Sequence, residues 1–454
     1  MSQSRTRRSI PAAGALLGAA ALVLTACAPP GGTGTVAPTT AAPSGSTEAT
    51  CGEEDVVLDA YIETGFPLPK ELFDEFTAQH PNVTFQVRED QFAVLTQNAP
   101  RTLQDNPPDL MRLPQMSELA SGGLLLNLDP YAEQFGWTEW PESQLSQLRV
   151  DDEGRRGSGP LYAMGLNFSM TGVFYNKELA AEIGMTEPPK TLAELDAAMD
   201  AAKKAGITPL AQFNGGATGG LMFPLQALMA SYGPTQPLND WIFQVEGANI
   251  DTPENLKAAE HLQKWVEAGY FADDVNSMDY AQMMARFIEG DSLFIFNGDW
   301  ESGNLDTQMP GKVGFFVMPP LEEGGTQFGA MSAPLTYGIA AGAKHPDCAA
   351  YFFNWVATDE KARTITVEVG GSHPMGATDA FMPEVDPDSV TAATLAAGTQ
   401  VNEVNGAMDF LANATGSIYA QSWTPNVQQL VAGKQDAAGL LSAVQRDYEA
   451  EVGG

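Results

Sequence analysis

The sequence is poor in the side chains that do most metal and nucleophile chemistry. It has three cysteines and four histidines in 454 residues. His80, His261, His345 and His373 show no zinc-ligand spacing. There is no Gly-x-Ser-x-Gly nucleophile elbow and no Tyr-Tyr pair of the kind iron binders use. Basic residues are scarce: 23 Lys and Arg stand against 57 Asp and Glu, a formal charge of −34. A surface this negative repels nucleic acid and anionic lipid. Beyond the first thirty residues no apolar run approaches the ~20 residues that span a bilayer. No internal repeat is visible, and nothing calls for a cofactor.

What is present begins with an export leader. Arg5, Arg7 and Arg8 precede an apolar run from Ala15 to Leu24, which ends in Leu24-Thr25-Ala26-Cys27. A basic start, a short apolar core and small residues at the cut describe a signal peptide over 1–26. A cysteine straight after a Leu-small-Ala triplet resembles the bacterial lipobox. Cys27 is then expected to carry a lipid that anchors the protein to the outer face of the cell membrane. Ordinary cleavage with a free Cys27 thiol is the alternative, and Arg5–Arg8 also admits a twin-arginine reading. Residues 28–50 are almost all Ala, Pro, Gly, Ser and Thr. They cannot bury enough surface to offset their ordering entropy, so 27–51 reads as a flexible tether.

The remainder is long enough for two cores and reads as α/β. Val56–Tyr61 forms an apolar strand. Leu68, Leu72, Phe73 and Phe76 share a helical face, and Pro81–Val87 alternates with period two. Together they make a βαβ unit, with a third strand at Pro108–Leu113. Thr171–Asn176 is a further strand. Helices open at Thr191-Leu192, where Glu194 has capping-box spacing, and at Thr252-Pro253. Another runs from Asp279 to Glu289. Ser292–Asn297 is a continuous apolar strand, Tyr337–Ala341 another, and Pro346–Ala357 a helix. Cys51 and Cys348 could pair in an oxidising compartment, but spacing does not show whether they do.

Five blocks carry a resemblance. Pro108-Asp109 precedes Gly122–Pro130. Tyr175-Asn176-Lys177-Glu178-Leu179 and Gly184 precede Pro188-Pro189-Lys190-Thr191-Leu192-Ala193-Glu194-Leu195. Phe287–Ser292 runs into Phe296-Asn297-Gly298-Asp299-Trp300, and His345-Pro346 precedes Ala349–Val356. In this order they resemble the family 1 extracellular solute-binding proteins, which are maltose-binding-protein-like. Leu192 stands where many relatives have Trp, at a helix start.

The resemblance implies a two-lobed clamp of the periplasmic-binding-protein type, each lobe a sheet flanked by helices. Its expected boundaries are 52–166 with 335–385 for the first lobe and 167–334 with 386–454 for the second. Crossings are expected near Gly165–Met170, Ala330–Leu335 and Pro383–Ser389. The implied function is capture of a carbohydrate, an oligosaccharide, for the permease subunits of an ABC importer, by a monomer without catalysis. A sugar needs flat aromatic faces and directed polar groups. Trp300 matches the family's aromatic after the strand, and Trp423 lies in the region of a second platform. Around them stand Glu63, Phe66, Arg112, Gln115, Asn167, Phe168, Asn214 and Asp299. Each polar one is equally readable as ordinary loop polarity, Asp299 as a cap or ion-pair partner, and Gly370–Pro374 as a cleft-lining loop or a plain turn. A non-sugar solute such as a polyamine remains open, since an acidic cleft suits cations. So does an exported glycoside hydrolase, because 57 acidic residues make coincidental carboxylate pairs unavoidable.

Overall fold

The computed structural model describes residues 49–453 apart from 114–115, 217, 330–332 and 405. The leader, Cys27, most of the tether and Gln115 lie outside the described residues. Among the described residues no helix is long and apolar enough to cross a membrane.

Eleven strands are described: β1 Val56–Glu63, β2 Val83–Asp90, β3 Leu110–Arg112, β4 Arg149–Val150, β5 Arg156–Leu161, β6 Met164–Ser169, β7 Thr171–Asn176, β8 Thr208–Ala211, β9 Ser292–Gly298, β10 Val313–Phe316 and β11 Ala333–Gly338. They form a five-stranded sheet, β2-β1-β3-β11-β6, a four-stranded sheet, β10-β7-β9-β8, and the small β4-β5 hairpin. Helix Leu68–Gln79 buries Leu68, Leu72, Phe73 and Phe76, the face its periodicity predicts. Phe73 stacks on Phe85 of β2 at 4.2 Å between ring centroids. Helices Pro346–Thr358 and Glu360–Glu368 complete the first lobe, packing on β6 and on Leu68–Gln79. In the second sheet every residue of β9 is buried, as a continuous apolar run requires. Helices Leu192–Ala205, Tyr280–Glu289 and Val390–Glu403 pack on it.

The Thr191 cap forms with one difference from the expected box, and a reciprocal box that was not foreseen opens another helix. Asp279 and Gln282 form a complete reciprocal box. Thr191 accepts from the Glu194 amide, but the Glu194 carboxylate turns back to the Lys190 amide rather than to that of Thr191. β11 starts four residues before the expected strand. Pro334 has no N–H, and the register shifts between Pro334 and Thr336, so the local sequence hides the pairing. The β4–β5 hairpin was not foreseen. Its Gly157 and Gly159 adopt positive φ, which breaks the alternation a strand would show.

Cys51 and Cys348 are bonded, with Cα atoms 4.2 Å apart. Ala49 is buried as well. The folded body therefore begins before residue 52, inside the last residues assigned to the tether. β6 belongs wholly to the first sheet and β7 to the second, so the change of sheet falls at Met170 rather than after residue 166.

Candidate functional site

β1, β2 and β3 run parallel. β11 is antiparallel to both β3 and β6, so β6 runs with them. In the second sheet β8, β9 and β10 run together, with β7 opposed to them. One residue, Met170, joins the carboxyl end of β6 to the start of β7, whose Thr171 lies opposite Gly298 at the carboxyl end of β9. The return strand β11 begins with Ala333 opposite Ser169. Both links thus lie on the side where the parallel strands of each sheet end. Loops at the carboxyl ends of such strands are the general ligand-binding position of α/β sheets.

On the first lobe Glu63 ends β1 and Arg112 ends β3, and they form an ion pair at 3.3 Å with side chains 15% exposed. Arg112 Nη1 also donates to the carbonyls of Leu113, at 2.7 Å, and Thr336, at 3.2 Å. Burial raises the Glu63 carboxyl pKa, while Arg112 opposes that rise. Phe66, just beyond β1, is exposed.

On the second lobe Trp300 follows β9 and keeps part of its ring exposed. Its Nε1 donates to the Tyr280 hydroxyl at 2.8 Å. The ring lies against the Gly298 backbone, where an added Cβ would come within 2.0 Å of the indole. Gly298 is extended, with φ −94° and ψ 159°. Its role is to leave room for the ring.

The other expected contacts are placed differently. Trp423 is fully buried and packs edge-on against Trp241, with centroids 5.9 Å apart. It is a core ring and offers no face to a ligand. Phe168 is also fully buried, its amide donating to the His373 carbonyl at 2.7 Å. Asn214 is buried inside its own lobe, where its Nδ2 donates to Asn276 and its carbonyl accepts from Gln428. Asp299 is buried rather than at a rim. Asn167 is buried too, with Nδ2 3.4 Å from Ser169 Oγ and, among the described residues, no hydrogen bond to its Oδ1. Ser372 and His373 resolve the glycine-rich loop: Ser372 is buried, and His373 bridges to Phe168 beside the crossing.

The sequence reading missed an aromatic cluster around Trp300. Phe213, just past β8, meets Tyr280 at 5.3 Å and Phe223 at 6.1 Å. Phe223 lies edge-on to Trp300 at 6.3 Å and meets Phe410 at 5.7 Å. Phe410 in turn meets Tyr419 at 5.2 Å. Tyr280 and Tyr419 retain some exposure. Burial raises the pKa of both hydroxyls, that of Tyr280 further through Glu301, so both are neutral donors. The available signal was Tyr419 itself, four residues before Trp423, in a π-helical turn. Two concavities of about 440 and 690 Å³ flank Pro188–Lys190 and take in none of these residues. Among the described residues no cluster of three His, Cys, Asp or Glu side chains could hold a metal.

The chain belongs to the bacterial extracellular solute-binding protein family, whose profile matches residues 60–363. A relative from Mesorhizobium japonicum, named a probable sugar-binding periplasmic protein, is 28% identical over 191 residues, 41% of this chain and 43% of its own length. The chain spans less than half the length of the curated relatives it matches. Among solved structures, a chitin oligosaccharide binding protein superposes with TM-score 0.70 at 18% identity, covering 88% of this chain and all of that one. A maltose-bound T. maritima protein gives TM-score 0.67 at 15% identity, covering 87% of this chain and all of that one. These similarities establish the two-lobed fold, and the family is one of solute binders rather than catalysts.

Proposed function

We propose that this chain captures a carbohydrate, an oligosaccharide, outside the cell and delivers it without chemical change to the permease of an ABC importer. The observation that carries this is Trp300, a partly exposed indole fixed by Tyr280 where β9 ends beside the interlobe link. An aromatic face suits the C–H face of a sugar ring, and the Glu63–Arg112 pair on the first lobe supplies charged groups for hydroxyls. Phe66 and Tyr419 add aromatic surface that is at least partly exposed. The names of the sugar-binding relative and of the two structural neighbours agree with this ligand class. Sugar contacts from both lobes would favour a closed form by rotation about the crossings. The lobes in this reading follow the expected boundaries, except that the first begins before residue 52 and its first segment runs to Met170. Cys27 would carry the lipid anchor, and the tether would hold the body close to the permease.

A thermal-shift screen across mono- and oligosaccharides, amino acids and polyamines tests the ligand class. Stabilisation confined to oligosaccharides is expected, with titration calorimetry giving the affinity and mass spectrometry finding no new sugar species. Stabilisation by polyamines alone, or protein-dependent hydrolysis, would overturn the reading. For the anchor, Cys27→Ala should leave the membrane fraction or accumulate as precursor. A processed, membrane-held variant would refute lipidation.

A further inference from the structure

Asp299 stands where three separate stretches of chain meet. Its amide donates to the carbonyl of Met170, the single residue between β6 and β7, at 3.0 Å. Its carboxyl accepts from Ser372 Oγ at 3.2 Å, and Ser372 Oγ lies 3.1 Å from Ser169 Oγ at the end of β6. Ser169 and the amides of Met170 and Trp300 favour the charged form of the carboxyl, against the desolvation that raises its pKa. The residue that follows Asp299 is Trp300 itself.

These contacts are of an unusual kind for a buried acid. The side chain is 1% exposed, and hydroxyls and amides rather than a cation compensate it. Burying a carboxyl without a counter-ion is costly, and its pKa rises well above the ordinary value through desolvation. Ser372 has one proton and three oxygen neighbours, Asp299 Oδ1, Ser169 Oγ and the Gly370 carbonyl. It can satisfy one of them at a time. The donors around Asp299 are therefore set by the relative placement of β6, the Ser372 segment and the Trp300 turn.

We propose that Asp299 is a positioning residue that ties the Trp300 ring to the interlobe link, so that rotation of the lobes and placement of the platform are coupled. This rests on the reading of Trp300 as the sugar platform. Asp299 touches no ligand in this account. It acts by tying the turn that carries Trp300 to the Met170 carbonyl through its amide and to the Ser372–Ser169 hydroxyl pair through its carboxyl.

The experiment uses the processed, lipid-free chain in two arms. In the first, without sugar, the near-ultraviolet circular dichroism of Trp300 is isolated as the parent spectrum minus that of Trp300→Phe. Repeating the subtraction in Asp299→Ala and Asp299→Asn backgrounds should show the Trp300 signal largely lost in the alanine background. The asparagine background should retain it, because an amide oxygen still accepts from the same donors. The parent signal should vary with pH as Asp299 titrates, and that variation should vanish in Asp299→Asn. If Asp299→Ala does not fold, the doubly substituted Ser169→Ala, Ser372→Ala chain replaces it, with the same loss expected.

In the second arm, maltotetraose and chitotetraose are titrated calorimetrically into the parent and both Asp299 variants. The expected result is about a tenfold weaker association for Asp299→Ala and less than threefold for Asp299→Asn. A Trp300 signal unchanged in the alanine background, or in the serine double variant where that is used, overturns the proposal. Absence of binding to the parent by either sugar, with the spectroscopic coupling intact, counts against the carbohydrate reading alone.

Discussion

The indole Nε1 of Trp300 donates to the hydroxyl of Tyr280 at 2.8 Å, and that hydroxyl donates onward to the carboxylate of Glu301. Asn297 Nδ2 donates to the same oxygen at 3.1 Å. The ring is thus held by its N–H edge while the residue stays partly exposed.

Trp300→Ala should weaken oligosaccharide binding by about 2 kcal/mol or more, the range of an aromatic anchor, which is more than tenfold in Kd. The melting temperature without sugar should change little, because the ring is partly exposed. Calorimetric titration beside an unliganded melting curve separates a platform from a core lid. Unchanged affinity in a folded variant would remove Trp300 from the site.

Tyr280→Phe keeps the ring and deletes the oxygen on which Trp300, Asn297 and Glu301 converge. Loss of these bonds should weaken binding by about 1 kcal/mol through the freedom Trp300 regains. The Trp300 near-ultraviolet signal should fall with it. A full signal together with parental affinity would show that the bracket is dispensable.

Arg156 of the β4–β5 hairpin pairs with Asp409, whose side chain is 1% exposed. Asp409 Oδ1 also accepts from the Phe410 amide and from Asn413 Nδ2. Removing one partner of a buried pair strands the other charge, at a cost of about 3 kcal/mol or more. Arg156→Ala should therefore lower the urea midpoint, and adding Asp409→Asn should recover part of the loss. Equal stability of the parent and Arg156→Ala would show that the carboxylate reaches water unaided.

Burial lowers His373 to a pKa of about 4, with Arg363 adding to the shift and the Pro374 carbonyl opposing it. Between about pH 4 and 6.5 the unfolded chain then binds a proton that the folded chain does not. This contribution is complete above 6.5 and lost as pH falls through the window, by about 3 kcal/mol. Asp299 and Glu63, both raised, act with the opposite sign and favour the fold as pH falls. His373→Gln should flatten the acid-side loss of stability in urea unfolding series between pH 4 and 7. An unchanged slope would show that other groups dominate it.

Local pattern determined what a few neighbouring residues decide. The apolar run of β9, the amphipathic face of Leu68–Gln79 and the Asp279–Gln282 box follow from side-chain spacing along one element. Order of blocks along the chain was enough for the family. Trp300 was legible as a candidate because the family's aromatic after the strand falls on it, two residues past the end of β9. Tertiary structure alone decided which rings face outward. Trp423 sank beside Trp241 while Tyr419 kept an edge in solvent, and nothing within that segment distinguishes them. The cluster of Phe213, Phe223, Tyr280, Trp300, Phe410 and Tyr419 joins rings from distant parts of the chain. The bond between Cys51 and Cys348 and the meeting of Asp299 with Ser169 and Ser372 are of the same kind. Exposure and pairing at these positions depend on which distant surfaces exclude water from them, and that is a property of the packed lobes rather than of any window of sequence.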